Sequence, residues 1–430
     1  MKYTKIKNRS YNLHIIKTDR FKTITIQINF KRKTVKEDIT IRNMIANMLC
    51  DSNSVYKTPR ELEIATEELY NLFYTSTNYM SGKYSVMALE FTFLNEKYTE
   101  KGMLNKSLEF IHNIIFKPNI IEEDGIKKFN LDSYNISYNQ LKNRIESIKE
   151  NPAYYARIRM LEELDKNSYV SYRSTGYMED LEKINNTNLY DYYMSMLDSD
   201  IIDIFVIGDV NSSQIERAIN DKFKGITESR ESSDSHFVKA KKPRKLLHVV
   251  KEKLHINQSK LMIGCTIDDM TDFELRYVLN VYSFILGGSP DSKLFNNVRE
   301  KHSLCYHISS SAAPIYSIFT ITAGINKKDF RKTLKLIKKE IKNMKDGKFT
   351  NEDVVKAKVT YINSLKELED NPSSIIGLYS GIEYLNSDTI EDRLLKINKV
   401  TLNDVKLLAR KIHMDTVYLL EGDIREKKTN

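Results

Sequence analysis

An α+β fold made of two homologous tandem halves is what this sequence of 430 residues predicts, and three observations predict it. Some segments alternate apolar and polar residues with the period of a strand, as TITIQINF does from Thr23. Others repeat their apolar residues every three to four positions, as a helix does. Finally, short matches link the first half of the chain to the second in an unchanged order.

Taken in order, Tyr11 to Ile16 and Thr23 to Phe30 read as strands, and Ile39 to Cys50 and Pro59 to Tyr74 as helices. A strand follows at Tyr84 to Phe93, a helix at Leu104 to Ile115, and a long helical stretch from Glu122 to about Lys149. Asn151-Pro152 opens another helix through Leu164, because proline suits a first turn. Leu189 to Leu197 is helical, and Ile201 to Ile207 is a strand that ends at Gly208-Asp209.

The order then recurs. Tyr84-Ser85-Val86 matches Tyr316-Ser317-Ile318, and KSLEFIHNII from Lys106 matches KTLKLIKKEI from Lys332. Glu123-Asp124 matches Glu352-Asp353, Asn151-Pro152 matches Asn371-Pro372, and Lys183-Ile184-Asn185 matches Lys396-Ile397-Asn398. Gly208-Asp209-Val210 matches Gly422-Asp423-Ile424. Any one match is weak, but six in one order imply two modules, residues 1–225 and 245–430. The polar, Ser-rich stretch 226–244 reads as the linker between them.

Composition bounds the function. Hydrophobic residues at 41% and charged residues at 29% describe an ordinary globular protein. The net charge of +9 comes from 67 basic and 58 acidic residues that look scattered, with no nucleic-acid-binding motif. No apolar run is long enough to span a membrane. Cys50, Cys265 and Cys305 lie in apolar contexts without a CxxC pair, which reads as reduced thiols in a cytoplasmic protein. Nucleic acid and membrane are therefore not expected partners.

The stretch with most chemistry is LGGSPDSKLFNNVREKHSLCYHIS, residues 286 to 309. Gly287-Gly288 can supply positive-φ residues to end the apolar helix from Phe273 to Leu286, and a new helix starts at about Pro290. Arg299 lies near its end and Tyr306 seven residues on. If the helix continues they share a face; if it breaks near Ser303, Tyr306 stands on a strand still within reach. Two such donors suit a carbonyl becoming an oxyanion. The plainer reading pairs Arg299 with Glu300 or a backbone carbonyl and puts Tyr306 in the core.

Two α+β halves, each closed by Gly-Asp, and LGGSPDSKLFNNVREKHSLCY together resemble the pitrilysin/insulinase family of zinc peptidases. The resemblance covers nearly the whole chain and looks closest to the small bacterial branch, in which two such chains face each other. It implies largely antiparallel sheets packed with helices, as in insulinase and the processing peptidases, and it implies that Arg299 and Tyr306 serve an active site. The family's HxxEH motif binds Zn²⁺ through two His and a later Glu, while its internal Glu activates water. In this chain the alignment puts Asn43, Ala46 and Asn47 at those positions, and Asn135 at that of the later Glu.

No two of the eight His here stand four residues apart, and no metal is expected in this chain. The resemblance therefore implies a catalytically incomplete subunit that pairs with an HxxEH-bearing homologue holding the zinc. This chain would contribute Arg299 and Tyr306 to peptide binding and oxyanion stabilisation. A homodimer of the chain alone would use the same faces. The alternative is a non-enzymatic peptide-binding or scaffold protein of the same fold.

Overall fold

The structure is a computed structural model that describes residues 1–223, 234–239 and 241–423. Residues 226–233 and Ala240 of the expected linker, and Ile424 of the last repeat match, lie outside the described residues. Two compact units form. One comprises Met1–Glu146, Arg173–Ser235 and Pro372–Gly377; the other comprises Ser147–Tyr172, His236–Asn371 and Leu378–Asn430. Neither unit is a single continuous stretch of chain.

The first unit holds β1 (Lys2–Lys7), β2 (Asn12–Lys17), β3 (Thr23–Lys33), β4 (Phe73–Ser81), β5 (Tyr84–Leu94), the hairpin β6 (Ile120–Glu123) and β7 (Ile126–Phe129), and β8 (Ile201–Gly208). Six of these make one sheet in the order β1-β2-β8-β3-β5-β4. Only the β2–β8 pair is parallel. Alternation sets which face is buried: Ile26, Ile28 and Phe30 of β3 and Leu89 and Phe91 of β5 pack against Met44, Ile45, Met48 and Leu49 of helix Asp38–Asp51. Each such side chain contributes roughly 1.5–3 kcal/mol when fully buried.

The second unit holds β9 (His248–Leu254), β10 (Ser259–Ile267), β11 (Cys305–Ala313), β12 (Ile318–Ile325) and β13 (Ile412–Gly422), in the order β11-β12-β10-β13-β9. Here too one pair, β9–β13, is parallel. Read from its other edge, this order repeats that of β2-β8-β3-β5-β4, with β1 as an addition in the first unit. The fold is thus α+β with two mixed sheets packed by helices, each sheet departing from antiparallel order at one pair.

Helix Pro152–Leu164 comes from the first half of the chain, yet it belongs to the second unit. It presses so closely on β10 that a Cβ at Gly264 would lie 2.6 Å from the Met160 sulfur. Glycine is required there by space.

Three local expectations change. Helix Pro59–Glu68 stops short of Tyr74, because Tyr70 and Asn71 turn the chain with φ of 59° and 56° and β4 begins at Phe73. As an edge strand with little buried side chain, FYTSTNYMS lacks apolar alternation and escapes pattern reading. The stretch from Glu122 opens as a hairpin, turned by Asp124 and Gly125 at φ 53° and 76°. Only Leu131–Glu146 of it is α-helix, with a further short turn at Ser147–Glu150. The Glu123-Asp124 match is therefore not structural, because Glu352-Asp353 lie in the capped first turn of helix Asn351–Leu368. No helix among the described residues is long and apolar enough to cross a membrane.

Candidate functional site

In the second unit, the helical run 274–288 ends at Gly287-Gly288. Neither glycine has positive φ, so the reason for glycine differs from the one expected. A Cβ at Gly287 would lie 2.8 Å from Ser310 Oγ and 2.9 Å from its backbone nitrogen. The helix end rests on β11, where Ser310 Oγ also donates to the Ser283 carbonyl at 3.1 Å. That contact fixes the helix against the strand that carries Tyr306.

The chain turns extended at Ser289, and the next helix runs over 293–300, a little later than Pro290. It ends at Ser303, which is left-handed at φ 49°. Ser303 N–H donates to the Arg299 carbonyl at 2.9 Å and Leu304 N–H to the Val298 carbonyl at 3.2 Å, so Leu304 tucks into the core. Arg299 is thereby placed on the last turn.

Pairing of β11 with β12 slips between Cys305↔Ile325 and His307↔Gly324, leaving Tyr306 as a bulge residue. A bulge re-aims a side chain, and Tyr306 is 80% exposed. Its ring centroid lies 5.6 Å from the Arg299 guanidinium carbon, and the ring of Phe295, one turn before Arg299, lies 4.5 Å from the same carbon. Arg299 also forms a 3.4 Å ion pair with Glu300. Half of the plain reading is therefore present, while the other half fails because Tyr306 is not in the core. Beneath them, burial pushes the Cys305 thiol up to about 11 against the opposing pull of Arg299. The result is a cation held between two aromatic rings beside an exposed phenol.

In the first unit, helix Asp38–Asp51 carries the positions that the resemblance assigns to a metal motif. Asn43 is buried, and its amide nitrogen donates to the Ile39 carbonyl at 2.9 Å and the Ser174 carbonyl at 2.8 Å. Ala46 is buried, and its carbonyl accepts from Ser76 Oγ of β4 at 2.7 Å. The buried amide nitrogen of Asn47 has no hydrogen-bond partner among the described residues. Asn135 is exposed. The residues of its helix that meet Asp38–Asp51 are Ser133, bonded to Ser52 at 2.8 Å, and Ser137, bonded to Asp51 at 2.8 Å. The structure thus places Asn43, Ala46 and Asn47 on one helix and Asn135, exposed, on another.

Zinc does not fit these residues. Asn43 and Asn47 offer only neutral amides, poor zinc ligands beside imidazole, and Ala46 has no carboxylate to take a proton from water. The nearest carboxylate in the helix, Asp51, is raised by its burial, tempered by Ser137 and Gln140. Among the described residues no group of three His, Cys, Asp or Glu stands where it would hold a metal ion.

Two anchors were not singled out from the sequence. Phe295 stands at i−4 from Arg299, a spacing open to inspection. Buried Arg42, beside Asn43, bonds Asp200 and the Phe30 carbonyl at 2.7 Å each, and nothing in the sequence pairs residues so distant.

Residues 183–361 match the family described as the peptidase M16 inactive domain. The chain is 28% identical over 425 residues to the probable inactive metalloprotease YmfF of Bacillus subtilis, covering 97% of each. Among solved structures it is similar to a conserved protein from Enterococcus faecalis, with a TM-score of 0.90 and 26% identity over 99% of this chain and 100% of that one. A peptidase M16 inactive domain from Pseudomonas fluorescens shares the fold, with a TM-score of 0.79 at 16% identity over 99% and 100% of the two chains. Residues 183–361 are thus similar to the peptidase M16 inactive domain, and the chain over nearly its whole length is similar to a probable inactive metalloprotease.

Proposed function

We propose that the chain is a zinc-free, catalytically incomplete subunit that pairs with an HxxEH-bearing M16 homologue and completes its peptide site. The observation that carries this reading is the bulge that turns Tyr306 out to solvent beside Arg299. An exposed tyrosine stacked on an arginine adds nothing to a core, but it offers two donors to a carbonyl on a facing chain. The partner would hold Zn²⁺ and the general base. Arg299 and the Tyr306 hydroxyl would bind the peptide carbonyl and stabilise the oxyanion that forms from it.

This division is chemically workable, since metal and base must act together on one water while oxyanion donors need only be well placed. The three free thiols and the scarcity of any oxidised pair favour a cytoplasmic setting. The substrate class is a short unfolded peptide or precursor. The test is peptide cleavage by the purified chain alone and after mixing with an HxxEH-bearing homologue from the same cell. No cleavage alone and cleavage on mixing is expected. Chelator-sensitive cleavage by the chain alone overturns the reading.

A further inference from the structure

One stretch of the sequence is strongly basic, and the fold turns most of its charge to one face. From Lys327 to Lys348 the chain has ten Lys or Arg and three Asp or Glu, within a whole-chain excess of only nine. Most of this segment is helix Phe330–Asp346, which buries Thr333, Ile337, Ile341 and Met344 against the second sheet's core. Its exposed residues include Arg331, Lys332, Lys335, Lys338, Lys339 and Lys342. At about 100° per residue these six occupy one arc of roughly 120°, opposite the buried one.

None of the six makes an ion pair or side-chain hydrogen bond with a described residue. Their flanks are different, since Lys327 pairs with Glu421 at 2.8 Å and Lys348 with Asp346 at 3.8 Å. Arg331/Lys335, Lys335/Lys339 and Lys338/Lys342 are like-charge pairs one turn apart, a spacing that disfavours a helix. The apolar side holds this face in place. Helix Leu402–Lys411, which shares the same core, extends the layer outward with Lys406, exposed Arg410 and exposed Leu407.

We propose that this face is a docking surface for an anionic lipid bilayer. Five of the six charges are lysines, point charges that attract a diffuse negative surface additively and lack the forked geometry that reads phosphates on a nucleic acid. The arc carries no aromatic residue on which bases would stack. The cations lie on the outside of a helix layer, not in a groove, and Leu407 beside them can enter the headgroup region. Peripheral attachment of this kind requires no spanning helix.

Co-sedimentation of the full chain with vesicles tests it, comparing phosphatidylcholine alone with mixtures containing about one-third phosphatidylglycerol. Binding is expected only to the mixture and is released by added salt. The variant Lys335→Gln/Lys338→Gln/Lys339→Gln/Lys342→Gln should bind on the order of 10³-fold more weakly. Glutamine keeps helix propensity, and an unchanged thermal midpoint confirms folding. Should the quadruple variant not fold, Lys335→Gln/Lys342→Gln should still lose about tenfold or more. Absent binding to the mixture at low salt, equal binding by the glutamine variants, or tighter binding to duplex DNA or polyglutamate than to vesicles overturns the proposal.

Discussion

Two helices of this chain carry motif positions, and they are used in opposite ways. In Asp38–Asp51 the polar side chains turn inward: Arg42 is wholly buried, and Asn43 ties the helix to the Ser174 carbonyl. In 293–300 the polar end turns outward, with Arg299 partly open to solvent and its neighbour Tyr306 raised on a bulge. The first helix offers packing and hydrogen bonds at those positions and no group that would hold zinc or take a proton. The second presents side chains that add little to the core. Substitutions should therefore change stability in one place and the activity of a complex in the other.

The largest expected effect tests the inward helix. Arg42→Ala leaves the Asp200 carboxylate buried without that partner and should destabilise the first unit by about 3–5 kcal/mol, read by urea unfolding. A loss below about 1 kcal/mol would mean the helix is held by its apolar face alone.

Next in size is the outward pair. Arg299→Ala should lower turnover of the assembled peptidase by about 10²–10³-fold, or roughly 3–4 kcal/mol in the barrier, with the unfolding midpoint unmoved. Tyr306→Phe keeps the ring against Arg299 and removes only the hydroxyl. Lower turnover with unchanged peptide affinity assigns the hydroxyl to the transition state, and unchanged turnover limits Tyr306 to positioning Arg299.

Asn43→Ala should lower stability by about 1–3 kcal/mol, because the Ser174 carbonyl loses its donor, and should leave turnover of the complex alone. Equal losses in both measurements would erase the contrast between the two helices.

The last expected effect is read from pH dependence and concerns the first sheet. Burial raises the Asp203 carboxyl, but His14, Lys31 and Asn12 more than offset this and hold it well below the usual carboxylate range. A depressed folded value contributes stability that is present above the unfolded value near pH 4 and lost as pH falls from there. Asp203→Asn should flatten the acid limb of the unfolding midpoint against pH. An acid limb unchanged from wild type would exclude Asp203 as its source.

Much of this was legible before the structure. Alternation and helical spacing located most elements, and the ordered matches found a repeat that the two sheet orders share. The Arg299–Tyr306 neighbourhood was legible in their seven-residue spacing, which allowed contact whether the helix ran on or broke near Ser303. Other features depend on partners that periodicity does not name. It marks Pro152–Leu164 as amphipathic without saying that its partner is β10, about a hundred residues further along the chain. The hairpin before Leu131 hides because its charged turn reads as helix, and β4 hides because an edge strand need not alternate. Gly287 was read for backbone freedom when the requirement was room beside Ser310.

The central claim is that this chain acts with a metal-bearing relative. Its most direct test is to capture the tagged chain from its own cells and weigh the intact complex by native mass spectrometry. The account predicts one homologue carrying HxxEH for each copy of this chain, with one zinc per pair. Self-association only, or zinc bound to the chain on its own, would contradict it.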